Sequence, residues 1–401
     1  MRIAIVTPRM IVGGAEFYII TKSKFLIERG YNVIVLSAGG EGVNNLPNNV
    51  RHYNLPYIDD PPYIHSQREV GRLIDLLAKI LVENSIEIVE AHNTYPLYYA
   101  AVACKVVGII CIYNLLNELS HDRQFVTNIL LKDFSNSRRY FTLTSQMNEY
   151  VEQKLKKKLY PTIIPIPVTT LSPRECHDRR YILTVCRFSS DKLYVLYLIE
   201  GFTVAIKKGI IPKDFKLRII GDGPLREQVE ERVNWSNELL GMHSIQLLGT
   251  KLGIELEEQY CNCTLYVGMG TTVLQAAQYK KAIIKVGFES KTMKYAWGYW
   301  GEKTEDVHCI AANGKNMSER MLFEEALVIV SDNDKIKALG KKAYLIHDSH
   351  YKLEKTMAQW IVNYQRLIDS DKHCISNRLE RIVNSRVFVL RCIRKIYQLI
   401  K

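Results

Sequence analysis

The sequence predicts an α/β protein built from two doubly wound, parallel-sheet domains of the Rossmann type. Short, nearly continuous apolar stretches, such as RIAIV at 2–6 and NVIVLSA at 32–38, alternate with longer amphipathic stretches typical of helices. A proline-rich stretch at 161–173 interrupts this alternation, and a second series begins with RYILTV at 180–185. With 401 residues, 47% of them hydrophobic, the chain is long enough for two cores.

The first series predicts a strand at 2–6 and then a helix at 13–30, which has apolar residues at helical spacing and ends at Gly30, a natural C-terminal cap. A strand at 32–38 and a loop rich in Asn and Pro follow. The remaining predictions for this half are helices at 69–85, 96–108 and 145–159 and strands at 86–92, 109–115 and 140–144.

The second series predicts strands at 180–185, 215–220, 244–249, 264–267 and 281–286, with helices at 193–209, from Pro224 onward, at 254–260 and after Gly270. We expect a first domain at 1–168 and a second at 169–345. A helix at 346–370 and a basic amphipathic helix at 371–401 complete the chain.

The chain is basic, with a formal net charge of +12, which favours an anionic partner. Residues 372–401 carry eight Lys and Arg against the single acid Glu380, between apolar residues at helical spacing. This pattern predicts a helix lying on an anionic membrane surface, and KLKKKL at 154–159 would add to the patch. The alternative is a helix that packs on the first domain. Because no base-stacking motif accompanies the charge, a nucleic-acid partner is not expected.

Nine scattered cysteines, with no CxxC pair, argue for a reducing compartment, against a disulfide framework and against a metal site. The apolar run at 3–6 is too short for a signal-peptide core, and no stretch approaches the ~20 apolar residues of a spanning helix. We therefore expect a cytoplasmic protein, associated peripherally with the inner face of the membrane.

Three loops that follow predicted strands carry chemistry suited to a ligand. The first is VGGAE, with Gly13 and Gly14 before a helix. The second is CRFSSDK, in which Arg187 and Lys192 supply the two positive charges that a diphosphate leaving group needs without a metal. The third is IIGDGP, where Asp222 is either a helix cap or a ligand contact. For each loop the alternative is a tight turn or solvated charges.

The stretch VGMGTTVLQAA at 267–277 has the outline of a phosphate-binding turn. An apolar strand gives way to a Gly-rich turn and then to a helix, so that free backbone N–H groups and the positive end of the helix dipole meet an anion. The stretch contains no charged residue. Its chemistry would therefore rest on the backbone, with charge supplied from elsewhere.

The order of these motifs, together with LLGT at 247–250, resembles the retaining GT-B glycosyltransferases of the group called family four, over about residues 1–370. The resemblance implies two domains facing a cleft and a late helix that returns to the first domain. It also implies transfer of a sugar from a nucleotide diphosphate donor to a glycan or lipid-linked acceptor, without a metal or other cofactor.

By this resemblance, a set of residues would bind the donor. Arg187 and Lys192 would hold the diphosphate, and residues 247–250 would flank the base. The first loop would approach the diphosphate closely, and the backbone of the Gly-rich turn would cradle a phosphate. The whole predicted donor set is Gly13, Gly14, Arg187, Lys192, Gly270, Thr271, Thr272 and Gln275.

The sequence departs from the family pattern at three sugar-contacting positions. Gln275 stands where members have a ribose-binding glutamate, Val267 stands where a second glutamate is usual, and Leu116 occupies the register of a histidine. An amide still hydrogen-bonds a ribose hydroxyl, at a loss of ~1 kcal/mol, but leucine replaces none of a histidine's polar work. The catalytic candidates are then His92, Asn117 and Glu118, with His121 also in reach; for His92 the alternative is a core histidine.

Two interpretations stay open: an active enzyme of surface polysaccharide or glycolipid synthesis with a rearranged sugar site, and a catalytically weakened subunit that binds nucleotide or a partner enzyme. A nucleotide-sugar epimerase of the same fold and a nucleic-acid-binding protein are the further alternatives.

Overall fold

The structure is a computed structural model that describes residues 1–11, 13–116, 138–168, 170–171, 174–177, 179–287, 293–302 and 320–370. It confirms the predicted fold class, because two separate sheets dominated by parallel pairing are flanked by helices. The chain divides into two compact units. Unit 1 comprises Met1–Pro167 and the chain from Glu354 onward, and unit 2 comprises Val168–Leu353.

Unit 1 holds a sheet of parallel strands in the order β3-β2-β1-β4-β5-β6-β7. Its strands are β1 Arg2–Val6, β2 Asn32–Ser37, β3 Arg51–Asn54, β4 Ile88–His92, β5 Ile110–Leu115, β6 Tyr140–Thr142 and β7 Thr162–Ile163. Its helices are α1 Gly14–Glu28, α2 Gln67–Glu83, α3 Thr94–Val107, α4 Ser145–Leu155 and α11 Leu353–Ser370, the last beginning at the boundary residue.

Unit 2 holds a second sheet, in the order β10-β9-β8-β11-β12-β13. Its strands are β8 Arg179–Val185, β9 Lys216–Ile220, β10 Ile245–Leu247, β11 Cys263–Gly268, β12 Ala282–Val286 and the antiparallel β13 Ala296–Tyr299. Its helices are α5 Tyr194–Lys207, α6 Arg226–Leu240, α7 Gly253–Asn262, α8 Thr271–Gln278, α9 Phe323–Ala326 and α10 Asn333–Ile346.

Both sheets place a topological switch point beside their first strand. In unit 1 the strand order reverses between β1 and β4, and in unit 2 it reverses between β8 and β11. Open α/β sheets bind ligands at the carboxyl ends of the strands at such a point. The loops after these four strands are therefore where the sites of this chain are to be sought.

Helix α11 packs on unit 1 through aromatic side chains. The Trp360 ring stacks on Phe141 of β6, with the ring centroids 4.9 Å apart. The ammonium of Lys22, on α1, lies 3.3 Å from the centroid of the Trp360 ring. All three side chains are buried. A cation over an indole face is attracted by the ring quadrupole, and the attraction is strongest when water is excluded. The last described helix is thus part of the core of unit 1.

Several elements were not predicted from the sequence. The short strands β3, β7 and β13 were missed, because two- to four-residue strands carry too little periodicity to be recognised. The helices α9 and α10 were also not predicted. Of the two alternatives for Asp222, the helix cap is wrong: α6 begins at Arg226, and Asp222 accepts from the Gly223 N–H at 2.7 Å and pairs with the Arg226 guanidinium at 2.7 Å.

One disulfide is present, although the scattered cysteines argue for a reducing compartment and against a disulfide framework. Cys176 and Cys261 form a disulfide across 85 residues of sequence. It joins the segment that leads into β8 to helix α7 within unit 2. Sequence spacing gave no signal for this pair, because only the tertiary fold brings the segment and the helix together. Among the described residues, Cys104, Cys111, Cys186 and Cys263 are not in a disulfide.

Candidate functional site

The Gly-rich turn of unit 2 connects β11 to α8. A side chain at Gly268 would meet the Tyr266 hydroxyl, since a Cβ there would lie 2.6 Å from that oxygen. Gly270, the residue before α8, has φ 68° and ψ −146°, a conformation that only glycine adopts without strain. The Thr272 hydroxyl donates to the Met269 carbonyl at 2.9 Å. The first N–H groups of a helix lack intrahelical partners, so this turn is suited to an anion.

The loop after β8 carries the two predicted cations. The Arg187 side chain is about half exposed and the Lys192 side chain a quarter exposed. Asp191 lies between them, with a carboxylate oxygen 3.7 Å from the Arg187 guanidinium and another 3.1 Å from the Lys192 ammonium. Burial raises the pKa of Asp191, but the Ser189 hydroxyl and Lys192 outweigh burial and lower it. Asp191 is therefore an ionised partner that orients both cations.

Backbone hydrogen bonds fix this loop against the IIGDGP turn. The Phe188 N–H donates to the Asp222 carbonyl at 2.8 Å, and the Leu225 N–H donates to the Phe188 carbonyl at 3.0 Å. Gly221 has φ 149°, and a Cβ there would lie 1.8 Å from the Cys186 carbonyl oxygen. The Gly221 N–H donates in turn to the Gly249 carbonyl at 2.9 Å. The glycine of the motif is thus required by the close approach of two backbones.

The structure brings Lys192 to the Gly-rich turn. The Lys192 ammonium lies 3.0 Å from the Met269 sulfur, in the middle of the GMG sequence. A thioether is only a weak acceptor, so this contact leaves the ammonium able to bind a stronger one. The loop that carries Arg187 and Lys192 and the turn that leads into α8 therefore form one polar corner, at the carboxyl ends of β8 and β11.

Gln275 lies on α8, one turn beyond the Gly-rich turn. Its amide oxygen accepts from the Tyr260 hydroxyl at 3.0 Å, and the Tyr260 side chain is fully buried. The amide NH₂ is then the group that a further acceptor would meet. Val267, the other residue that departs from the family pattern on this side, is fully buried in β11 as part of the core of unit 2.

In unit 1, the predicted glycine pair lies at the start of α1. Gly13 precedes the helix in an extended conformation, and Gly14 is its first residue. A Cβ at Gly13 would lie 2.6 Å from a carboxylate oxygen of Glu16, in the first turn of α1. Val12 lies outside the described residues.

His92 is the last residue of β4, and it is fully buried. Its Nε2 lies 2.7 Å from Oε1 of Glu90, two residues earlier on the same strand. Its Nδ1 has no hydrogen-bond partner, in the part of the chain that the structure describes. The next residue, Asn93, has φ 58° and ψ −171°, a strained conformation for a residue with a side chain. His92 therefore belongs to a polar cluster in the core of unit 1, at the end of a switch-point strand.

Glu90 is the centre of that cluster. Its carboxylate accepts from the Lys22 ammonium at 2.5 Å, from the Asn114 amide at 2.8 Å and from the Tyr18 hydroxyl at 3.3 Å, and it also contacts the Tyr364 hydroxyl. These donors come from α1, β5 and α11. Glu90 is not among the residues predicted from the sequence, although one signal is present: it is a charged residue inside the apolar strand IEIVEAH.

The cluster sets the charge of each group. Burial by itself raises the pKa of Glu90, but Lys22 and the bond to His92 reverse this and hold the pKa well below its usual range. Burial lowers the pKa of Lys22 to about 8 in spite of Glu90, and it also lowers the pKa of His92. Because an ionised carboxylate only accepts, the neutral His92 ring donates from Nε2, and its Nδ1 carries the lone pair.

The remaining sequence candidates divide between described and undescribed residues. Leu116, at the register of the family histidine, is a buried apolar residue just after β5. Asn117 and Glu118, predicted as catalytic, lie outside the described residues, and so do His121 and the basic segment 371–401. No helix in the described part of the chain is long and apolar enough to span a membrane.

The two sheets have the GT-B fold, and the solved structures that share it are glycosyltransferases of that fold. Residues 12–170 match the family model Glycosyltransferase Family 4. This part of the chain is therefore similar to the family-four glycosyltransferases. A curated relative is the phosphatidylinositol N-acetylglucosaminyltransferase GPI3 subunit of Saccharomyces cerevisiae. It is 22% identical over 364 residues, which cover 82% of this chain and 76% of the relative.

Solved structures share the fold over most of the chain. A glycosyltransferase from Rickettsia africae superposes with a TM-score of 0.66 at 16% identity, covering 92% of this chain and 98% of that one. HepE of Anabaena, solved with UDP, has a TM-score of 0.66 at 15% identity, covering 91% and 100%. The sucrose-phosphate synthase of Thermosynechococcus elongatus has a TM-score of 0.65 at 13% identity, covering 92% and 100%.

The Glu90 cluster generates a prediction about stability. Glu90→Gln removes the charge that compensates Lys22 in the core, and breaking a buried ion pair costs about 3–5 kcal/mol in the free energy of unfolding. The contribution of Glu90 is present above its unfolded pKa of about 4.5 and is lost as the pH falls below it, because the unfolded chain then binds the proton first. We expect the difference between wild type and variant to be largest near neutral pH and to narrow below pH 4.5.

Denaturant unfolding from pH 7 down to pH 3 measures this difference. Glu87→Gln is the matched control, because Glu87 lies just before β4 and pairs with the chain terminus at the surface, so it should cost about 1 kcal/mol or less. Equal stability of Glu90→Gln and wild type, or a difference that does not change with pH, would contradict the assignment of Glu90 as an ionised hub.

Proposed function

We propose that this chain transfers a sugar, with retention of anomeric configuration, from a nucleoside diphosphate sugar to a glycan or lipid-linked acceptor. The supporting observation is the polar corner of unit 2, where the Lys192 ammonium lies 3.0 Å from Met269 in the Gly-rich turn. Two cations and a helix N-terminus converge there, as a departing diphosphate requires. HepE of Anabaena has been solved with UDP and with UDP-glucose, which supports a nucleotide sugar as the donor.

Each group at the corner has a role in this proposal. Arg187 and Lys192 neutralise the diphosphate as the glycosidic bond breaks, so the reaction runs without a metal ion or another cofactor. Asp191 keeps both cations in place until the donor arrives, after which the phosphate oxygens replace its carboxylate as their partner. The backbone of Gly270, Thr271 and Thr272 donates to one phosphate.

The rest of the donor site completes the proposal. The amide NH₂ of Gln275 donates to a ribose hydroxyl, since its oxygen is bound by Tyr260. Residues 247–250 flank the base, and donor binding by Gly13 and Gly14 stays a prediction from the family resemblance. On the acceptor side we retain His92, Asn117 and Glu118 as the catalytic candidates; for His92 the bare Nδ1 is the atom able to accept a proton or a hydrogen bond.

The acceptor class follows from the relative and from the charge of the chain. The yeast relative is, by its name, a phosphatidylinositol N-acetylglucosaminyltransferase subunit, which supports a lipid-linked acceptor and glycolipid or surface polysaccharide synthesis. We further propose that the basic segment 371–401 holds the chain on the cytoplasmic face of an anionic membrane, where such an acceptor is found.

A second candidate is a subunit that binds nucleotide without turnover. Two departures from the family pattern favour this candidate. Val267 and Leu116 stand where the family has polar residues that contact the sugar, and both are buried and apolar. The yeast relative is itself described as a subunit.

The activity is tested by incubating the full chain with a panel of nucleoside diphosphate sugars and with glycan and lipid-linked acceptors. We expect release of the nucleoside diphosphate and a product with the anomeric configuration of the donor, read by NMR. Nucleotide binding with no release from any donor would favour the subunit instead. Conversion of the donor without an acceptor would indicate an epimerase.

The diphosphate site is tested by the double variant Arg187→Ala with Lys192→Ala. Removing two charge-assisted bonds, each about 1.5–3 kcal/mol, should weaken nucleoside diphosphate binding by at least about a hundredfold in calorimetry. The matched control is Lys207→Ala with Lys208→Ala, at the other end of α5, which should leave affinity nearly unchanged. If the two double variants bind alike, the assignment fails.

Membrane binding is tested by sedimentation with vesicles of phosphatidylcholine and phosphatidylserine. Replacing Arg391, Arg394 and Lys395 by Gln should weaken binding by about a hundredfold, because each basic residue near the surface contributes about 1 kcal/mol. The control replaces three exposed lysines of α10 by Gln, namely Lys337, Lys341 and Lys342. It therefore has the same net charge as the test variant. Equal loss in both variants, or no vesicle binding by the wild type, would contradict the proposal.

A further inference from the structure

Unit 2 contains a cavity of about 380 Å³ that lies away from the polar corner. It is formed by the segment entering β8, the middle of β9 and the second half of α7. Arg179, in its wall, is the first residue of β8, whereas Arg187 follows the last. A strand of this length spans about 20 Å, so the cavity and the proposed diphosphate site lie at opposite ends of the same strand.

Arg218 is held in the cavity wall by neutral groups. Its Nε donates to the Gln246 side chain at 3.1 Å, and its Nη1 donates to the Gln259 side chain at 3.0 Å. The guanidinium lies over the Tyr181 ring, 4.1 Å from the centroid. Among the described residues no carboxylate pairs with it. A partly buried guanidinium that is fixed in orientation but not neutralised is ready for an anion, and its Nη2 still has donors to offer.

The other charges of the wall leave an excess of positive charge. Arg174 is paired with Glu257 at 3.7 Å and with Glu258 at 3.4 Å. Glu258, which lines the cavity from α7, is therefore already paired with a cation. Arg179 is exposed and forms no ion pair within the described residues. Among the described residues, the guanidiniums of Arg179 and Arg218 therefore have no carboxylate partner. The carboxylate of the wall that is left to offset their two positive charges is the exposed one of Glu175.

The amides of the wall also present donors. The Gln259 oxygen accepts from Arg218, and the Asn262 oxygen accepts from the His177 N–H at 3.1 Å, so each amide is oriented through its oxygen, and within the described residues its NH₂ group is the donor that a ligand would meet. The His177–Asn262 bond and the ion pair of Arg174 with Glu258 join the entering segment to α7. The wall is thus preformed, which reduces the entropy that binding would cost.

We propose that this cavity binds a small phosphate monoester, at a site separate from the diphosphate corner. Arg218 and Arg179 bind the phosphate, and the amides of Gln259 and Asn262 donate to its remaining oxygens. A dianion matches two uncompensated guanidiniums, whose planar forks suit phosphate oxygens. The volume lies within the range of small-molecule sites, about 300–1,000 Å³.

The test uses the full chain with Arg187→Ala and Lys192→Ala, so that phosphate bound at the corner does not contribute. Inorganic phosphate and glycerol 3-phosphate are titrated by calorimetry and by ³¹P NMR. In this background we expect both to bind, glycerol 3-phosphate more tightly. Adding Arg218→Gln should weaken binding about tenfold or more, the loss expected for a hydrogen bond to a charged group.

Arg179→Gln is the second variant, because its exposed side chain is not needed for folding, and it should also weaken binding several-fold. Arg180→Gln is the matched control: it is the next residue, is exposed and pairs with Asp214, and it does not line the cavity. If Arg179→Gln and Arg180→Gln weaken phosphate binding equally, the loss reflects the general surface charge and the proposal is overturned. Absence of phosphate binding in this background would also overturn it, whether or not the corner binds nucleotide.

Discussion

Unit 1 depends on the buried carboxylate of Glu90. An isolated ion in a core is strongly unfavourable, so a buried carboxylate is tolerated only where hydrogen bonds and an opposite charge surround it. Here the partners come from α1, β4, β5 and α11, and the last of these, Tyr364, lies 274 residues away along the chain. The same carboxylate fixes the tautomer of His92 at the switch point. The same hydrogen-bond network of Glu90 thus stabilises the core of unit 1 and sets the protonation of His92.

In unit 2 the charged groups of the candidate site are partly exposed, unlike those of unit 1. Its cations at the corner, Arg187 and Lys192, stay partly exposed and share one carboxylate, while the loops that carry them are fixed by backbone hydrogen bonds. An exposed ion pair contributes little to stability and exchanges partners readily. Rigid loops with exchangeable charges suit the binding of an anion. Buried charges with hydrogen-bond partners, such as that of Glu90, suit a core. The two switch points therefore differ: the charges are buried in unit 1 and partly exposed in unit 2.

Much of the architecture was predictable because buried parallel strands are continuous apolar runs and their helices have a 3.6-residue period. The expected strands and helices from RIAIV to KAIIKV were found, with ends shifted by a few residues. The short strands β3, β7 and β13 were not, since their residues are chosen by their neighbours in the sheet and carry no pattern of their own. The helix α10 was missed as well.

The sequence by itself determined the two sheets, the order of the post-strand loops and the glycines at which backbones approach closely. Only the tertiary structure decided which distant groups meet: Lys192 with Met269, Gln275 with Tyr260, Cys176 with Cys261, and Arg218 with Gln246 and Gln259. The physical reason is range. Periodicity and turn chemistry act over a few residues and leave a local signature, whereas these partners are separated by 15 to 85 residues and meet only once the sheets have formed.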